Sequence, residues 1–205
     1  MTVIATLAWL ALALQLYLEV MRSLAGGGPI GWIVANYFSF FTILTNFLLA
    51  LCLTISLLSP QSRWGKFFST AAAQTGVAIY IVVVGATYSV MLRHLWNPHG
   101  AQKLADVLLH DVAPIAFLLY WLAFVPKAGL RWKHALWWLC YPIAYMAYTL
   151  VRGWMTGWYP YPFIDAKVLG FPRALANGCV VLLVFIGLGL LAVAAGRFSA
   201  SRSRG

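Results

Sequence analysis

Apolar residues fall into long, nearly unbroken runs separated by short stretches of Gly, Pro, basic and aromatic residues. A bilayer core about 30 Å thick needs roughly 20 apolar residues per helix. The runs near 2–24, 31–58, 67–92, 104–124, 134–153 and 174–196 each reach that length. The pattern therefore predicts an all-α fold: a polytopic membrane bundle of six transmembrane helices filling residues 1–196, followed by a basic cytoplasmic tail at 197–205. Turn signals separate the runs: Gly26 to Pro29 after the first, Pro60 after the second, and Arg93 to Lys103, rich in turn formers and aromatics, after the third. Pro114 lacks the N–H that would bond the His110 carbonyl, which predicts a kink in the fourth helix, and Pro142 predicts a bend in the fifth. No internal repeat is visible.

Composition sharpens this picture. The 205 residues are 63% hydrophobic and 9% charged, which excludes an ordinary soluble domain. The formal charge is +10, but the 14 Lys and Arg are scattered singly over loop ends, as membrane anchors are, so no nucleic-acid partner is expected. Cys52, Cys140 and Cys179 lie inside apolar runs without C-x-x-C spacing and read as packing residues. The first run has no basic n-region and is long enough to span, so it reads as a retained helix. With six spans, the side holding both termini carries eight Lys and Arg and the other side six, which favours cytoplasmic termini.

The polar residues inside the runs are one-sided. Ser39, Thr42, Thr45 and Asn46 sit early in the second run, Thr87, Tyr88 and Ser89 late in the third, and Asp106, His110 and Asp111 at the start of the fourth. Tyr141, Tyr145, Tyr148 and Arg152 form a helical stripe late in the fifth, ahead of Trp158, Tyr159 and Tyr161 in an aromatic stretch suited to an interfacial cap. Glu19, Asp106, Asp111 and Asp165, the four acids, fall at the same helix ends. Six antiparallel helices would collect these residues into one polar cavity under an aromatic lid.

An ionisable group at membrane depth is by default a hypothesis about a site. His110 has two readings. In the first it is a hydrogen-bonded core histidine, with Asp106 one turn away as partner; in the second it is a general base. A hydroxyl nucleophile needs a base within reach and a third group to orient that base, roles that Thr42, His110 and Asp106 would fill, with Thr45 as the alternative nucleophile. Asn46, Arg152 and the tyrosines would stabilise an oxyanion. The plainer reading of the second run is that Ser39, Thr42 and Thr45 bond back to their own helix while Asn46 joins helices. Arg22 and Arg152 read equally as partners of Glu19 and Asp165 or as snorkelling anchors. His94, His99, His110 and His134 have no metal-ligand or haem spacing, so neither metal nor cofactor is expected.

Three segments in order, FFTILTN (Phe40 to Asn46), LLHDVAP (Leu108 to Pro114) and MTGWYPYPF (Met155 to Phe163), resemble motifs of the eukaryotic androgen-induced-gene family of six-helix membrane proteins. Members of that family are threonine hydrolases that cleave fatty acid esters of hydroxy fatty acids. The resemblance implies a bacterial-type relative in the inner membrane, with Thr42 or Thr45 as nucleophile, His110 as its partner and Trp158 to Phe163 as the aromatic segment. Thr42 is preferred because it shares the helix face of Asn46.

Two functions follow. One is an intramembrane hydrolase acting on a lipid or fatty acyl ester that enters from the bilayer, with Ser39, Asn46, Tyr145, Tyr148, Arg152, Trp158, Tyr159 and Tyr161 around the substrate. The other is a transporter or small-molecule binding protein in which His110 titrates as a proton relay.

Overall fold

The computed structural model describes the backbone of residues 1–202 and the side chains of residues 1–198; residues 203–205, the end of the predicted basic tail, lie outside the described residues. All regular structure among the described residues is helical. Two compact units divide the chain, the first Met1–Val125 and the second from Pro126 onward.

The first unit holds α1 (Thr2–Ala25), α2 (Ile30–Tyr37), α3 (Phe41–Leu58), α4 (Arg63–Phe68), α5 (Ala71–Thr87), α6 (Gly100–Val107) and α7 (Ala113–Phe124). α5 continues through a π turn, Tyr88–Leu92, and a 3-10 turn, Arg93–Leu95. α6 and α7 are joined through another π turn, Leu108–Val112, into one helical rod. Contacts run α1 to α3, α3 to α5, α5 to α7 and the α6–α7 rod back to α1, which closes a four-helix ring. Its core is apolar at the centre: Ala8, Ala11, Leu49, Leu53, Ile81 and Phe117 are fully or almost fully buried.

The second unit holds α8 (Trp132–Trp137), α9 (Cys140–Thr156), α10 (Ala166–Leu169) and α11 (Phe171–Arg202). α11 is its spine, contacted by α8, α9, α10 and the 3-10 turn Pro162–Ile164. Small residues set the spacing. A Cβ on Gly178 would lie 2.6 Å from Met146 Sδ of α9, and one on Gly189 would lie 3.4 Å from Ala135 Cβ of α8.

Five helical stretches are long and apolar enough to cross a membrane: Thr2–Ala25, Phe41–Leu58, Ala71–Leu95, Gly100–Phe124 and Phe171–Phe198. They fit an integral membrane protein. The six-span expectation is shown only this far, because the fifth predicted run is divided. Pro142 cannot donate to the Trp138 carbonyl and its ring crowds it, so the chain turns at Trp138–Leu139 and α9 is left with 17 residues. The second predicted run is broken as well: Phe38 to Phe40 form a turn between α2 and α3, with the Ser39 amide bonded to Asn36 O at 2.9 Å. The third begins only at Ala71, where the Thr70 hydroxyl caps Ala73 N at 3.2 Å. The predicted tail starts inside a helix, since α11 runs to Arg202. Of the cysteines read as packing residues, Cys52 is buried, whereas Cys140 and Cys179 are exposed on their helices.

Candidate functional site

Pro114 produces a π turn where a kink is expected. In a regular α-helix its missing N–H would leave the His110 carbonyl without a donor. The chain instead widens by one residue, and the Ala113 N–H bonds Leu108 O, five residues back. In this register the carbonyl that loses its donor is Leu109 O, whose partner would be position 114. Asn46 of α3 supplies it: its Nδ2 donates to Leu109 O at 3.2 Å and to Thr42 O at 2.9 Å. The first turns of α3 are thereby fastened against the segment that carries His110. On the other side, α5 approaches so closely that a Cβ on Gly85 would lie 3.0 Å from His110 O and 3.2 Å from Pro114 Cβ.

The π turn places His110 beside two residues of α6 and α5. Its Nδ1 lies 3.0 Å from Asp106 O and 3.1 Å from Asp106 Oδ1. Both neighbours are acceptors, so Nδ1 carries a proton, and in the neutral ring the lone pair is then on Nε2. Nε2 has no hydrogen-bond partner among the described residues. The Tyr88 ring stacks on the imidazole, centroids 3.8 Å apart and planes 15° from parallel, and the Tyr88 hydroxyl donates to Asp106 Oδ2 at 2.6 Å. Trp96 Nε1 donates to that hydroxyl at 3.3 Å. Arg93 lies 4.9 Å over the opposite partner, the Tyr88 ring, and pairs with Asp111. Asp106 is thus buried but held by a hydroxyl and a histidine, which is how a carboxylate is tolerated inside a bundle.

Thr42 lies in the first turn of α3 and keeps 9% of its surface exposed, whereas Thr45 and Asn46 are fully buried. No hydrogen bond joins His110 to either threonine. The Asn46 Oδ1 is buried with no hydrogen-bond partner. Ser39 is 1% exposed, and its hydroxyl donates to Ala35 O at 2.7 Å within the α2–α3 turn. Further polar links tie the same end of the ring together, Arg22 to Glu19 at 3.2 Å, Arg22 to Gln102 at 2.9 Å and Gln102 to Gln15 at 2.8 Å. Glu19, Asp106 and Asp111 therefore share one end of the first unit.

The other six predicted residues belong to the second unit, where they are organised around the α9 C-terminus. Gly157, at φ +70°, ends α9 in a left-handed conformation that favours glycine. The chain then folds back so that the Arg152 guanidinium sits 4.8 Å over the Trp158 ring and the Tyr159 ring covers Gly153, where any Cβ would overlap it. Tyr161 is buried and stacks on Phe163 at 5.3 Å, and the Phe163 carbonyl accepts from Asn177 Nδ2 at 2.8 Å. Tyr145 and Tyr148 are neighbours on α9, 6.5 Å between centroids. Asp165 caps α10 by accepting from Lys167 N at 2.9 Å.

Sequence reasoning assigned Tyr88 only to the polar half and gave it no role at the site. Trp96 and Arg93 were missed altogether. The available signal was Pro114, which announces an orphaned carbonyl; what it did not announce was that a π turn would move that carbonyl from residue 110 to residue 109. Among the described residues no group of three His, Cys, Asp or Glu side chains gathers as metal ligands would. No protein-family model, curated protein or solved structure matches the chain.

Proposed function

We propose that the protein is an intramembrane hydrolase of a fatty acyl ester, with Thr42 as nucleophile, His110 as general base and Asp106 as the group that orients the base. One observation carries this reading: His110 is held at Nδ1 by Asp106 and by the Tyr88 stack, while Nε2 has no hydrogen-bond partner among the described residues.

In the reaction, the Thr42 hydroxyl proton passes to Nε2 as Oγ1 attacks the ester carbonyl. The tetrahedral oxyanion collapses, the alcohol leaves with the proton from Nε2, and the acyl group remains on Thr42. Water, deprotonated by Nε2, then attacks the acyl-threonine; the bond to Thr42 Oγ1 breaks, Nε2 returns the proton to Oγ1, and the fatty acid is released. Asp106 stabilises the imidazolium formed in each half. Thr42 is preferred over Thr45 because it retains exposure and occupies the first turn of α3, where the helix dipole favours developing negative charge. The Thr42–His110 hydrogen bond is expected to close with substrate bound, as catalytic hydrogen bonds often do. The resemblance to the threonine hydrolases of the androgen-induced-gene family supports the same assignment.

The membrane arrangement belongs to this reading. α9, about 25 Å long, serves as a sixth span in addition to the five longer helices, the even number puts both termini on one side, the excess of Lys and Arg makes that side the cytoplasmic face of a bacterial inner membrane, and the site lies toward the opposite face. The test is hydrolysis of a long-chain acyl ester by the purified chain. Turnover that is lost in His110→Ala and Thr42→Ala but kept in Thr45→Ala supports the assignment. A well-folded wild-type chain without turnover refutes it.

A further inference from the structure

The second unit has two chemically different ends. From Asn177, bonded to the Phe163 carbonyl, to Gly196 the α11 helix rises about 28 Å, close to one bilayer core. The Asn177 end carries the aromatic fold-back and Asp165, the only acid of the second unit. At the Gly196 end the chain is basic. Gly196 lets the Lys127 carbonyl press directly against α11, since a Cβ there would collide with it. Leu130, buried, anchors the turn, with its N–H bonded to Lys127 O at 3.1 Å. Arg131 N donates to His134 Nδ1 at 3.1 Å and so starts α8. α8 packs Ala135 on Gly189 and turns Trp132, Leu136 and Trp137 outward, at 48%, 68% and 71% exposure. Arg197 comes from α11 to lie 5.8 Å over the Trp132 ring.

This end therefore gathers Lys127, Arg131, Lys133 and Arg197, cations from two separate chain segments, around outward-facing tryptophans, without an acidic residue on either segment. Tryptophan prefers the headgroup level of a bilayer, and a cluster of basic residues beside a membrane helix attracts anionic lipid. We infer that this end of the second unit is a binding surface for the headgroups of anionic phospholipids. Trp132, Leu136 and Trp137 enter the acyl boundary there, while the four cations engage lipid phosphate. The inference is independent of the hydrolase reading, since none of these residues belongs to the Asp106–His110 cluster.

The experiment is native mass spectrometry of the full chain in a neutral detergent, titrated separately with dioleoylphosphatidylglycerol and dioleoylphosphatidylcholine. Wild type is expected to take up phosphatidylglycerol at concentrations about tenfold lower than phosphatidylcholine. The fourfold variant Lys127→Gln, Arg131→Gln, Lys133→Gln, Arg197→Gln is expected to lose that preference, and the control Lys103→Gln, Lys167→Gln to keep it. Should the fourfold variant fail to fold, the exposed pair Arg131→Gln, Lys133→Gln carries the test, with at least a threefold loss of preference expected, roughly what removing one or two headgroup contacts implies. Equal uptake of the two lipids by wild type, or an undiminished preference in the basic-end variants, overturns the inference.

Discussion

The first unit has two polar belts inside its helix ring, and they are built differently. At one end, the Trp121 Nε1–H donates to the Thr75 hydroxyl at 2.9 Å, that hydroxyl donates to Ala71 O at 2.6 Å, and the Tyr120 hydroxyl donates to Gln74 Oε1 at 3.2 Å. Trp9 Nε1 donates to the Thr54 hydroxyl at 3.0 Å. Every group in these bonds is neutral, although the nearby Ser56 hydroxyl is buried without a partner among the described residues. At the other end lie a carboxylate, an imidazole and an exposed guanidinium, and there, among the described residues, the buried Asn46 Oδ1 and the part-exposed His110 Nε2 have no hydrogen-bond partner. A bundle that needs polar contacts only to hold helices together can use the first kind of belt. The second kind is expensive in lipid, which makes it the candidate site.

This contrast is broken most sharply by His110→Ala. It is expected to lower acyl ester turnover per folded molecule by about 10²- to 10⁴-fold, the usual range for a general base, while circular dichroism keeps its helical signature and the melting temperature falls because buried Asp106 loses one of the groups that hold it. Thr75→Val should do the reverse. It leaves the buried Trp121 Nε1 without its acceptor and is expected to reduce stability by about 1–2 kcal/mol, read by thermal or denaturant unfolding in detergent, with turnover per folded molecule unchanged. Tyr88→Phe sharpens the comparison within the site: the ring still stacks on His110, but buried Asp106 Oδ2 loses its donor, and both turnover, by about tenfold, and melting temperature are expected to fall. The smallest effect is expected for Thr54→Val, which removes a part-buried hydrogen bond to Trp9 and should lower stability by about 0.6 kcal/mol without a kinetic consequence.

The helical class and most long helices were legible because run length and apolar content are local properties. The breaks were not. The turn at Phe38 to Phe40 interrupts a run that has neither Gly nor Pro from Trp32 to Leu58 to mark it, and it serves tertiary contacts: Tyr37 is buried with its hydroxyl on Leu12 O at 2.7 Å. The break before α9 had a visible cause in Pro142, but the sequence does not distinguish a bend from a turn that divides the helix. At the site, the one-turn spacing of Asp106 and His110 made their proximity legible, and the face shared by Thr42 and Asn46 did the same for α3. The link between the two helices was hidden, because it depends on a carbonyl freed by a π turn. Tyr88 was likewise hidden, since nothing in its local pattern says that a tyrosine on α5 will stack on a histidine on the neighbouring rod.

The most direct test of the central claim is to treat the purified chain with a long-chain fluorophosphonate and to locate the adduct by tandem mass spectrometry. The account predicts one covalent adduct on the Thr42 hydroxyl, absent from His110→Ala although that variant remains folded. An adduct that forms equally well in His110→Ala, or that maps outside the first turns of α3, would contradict the account.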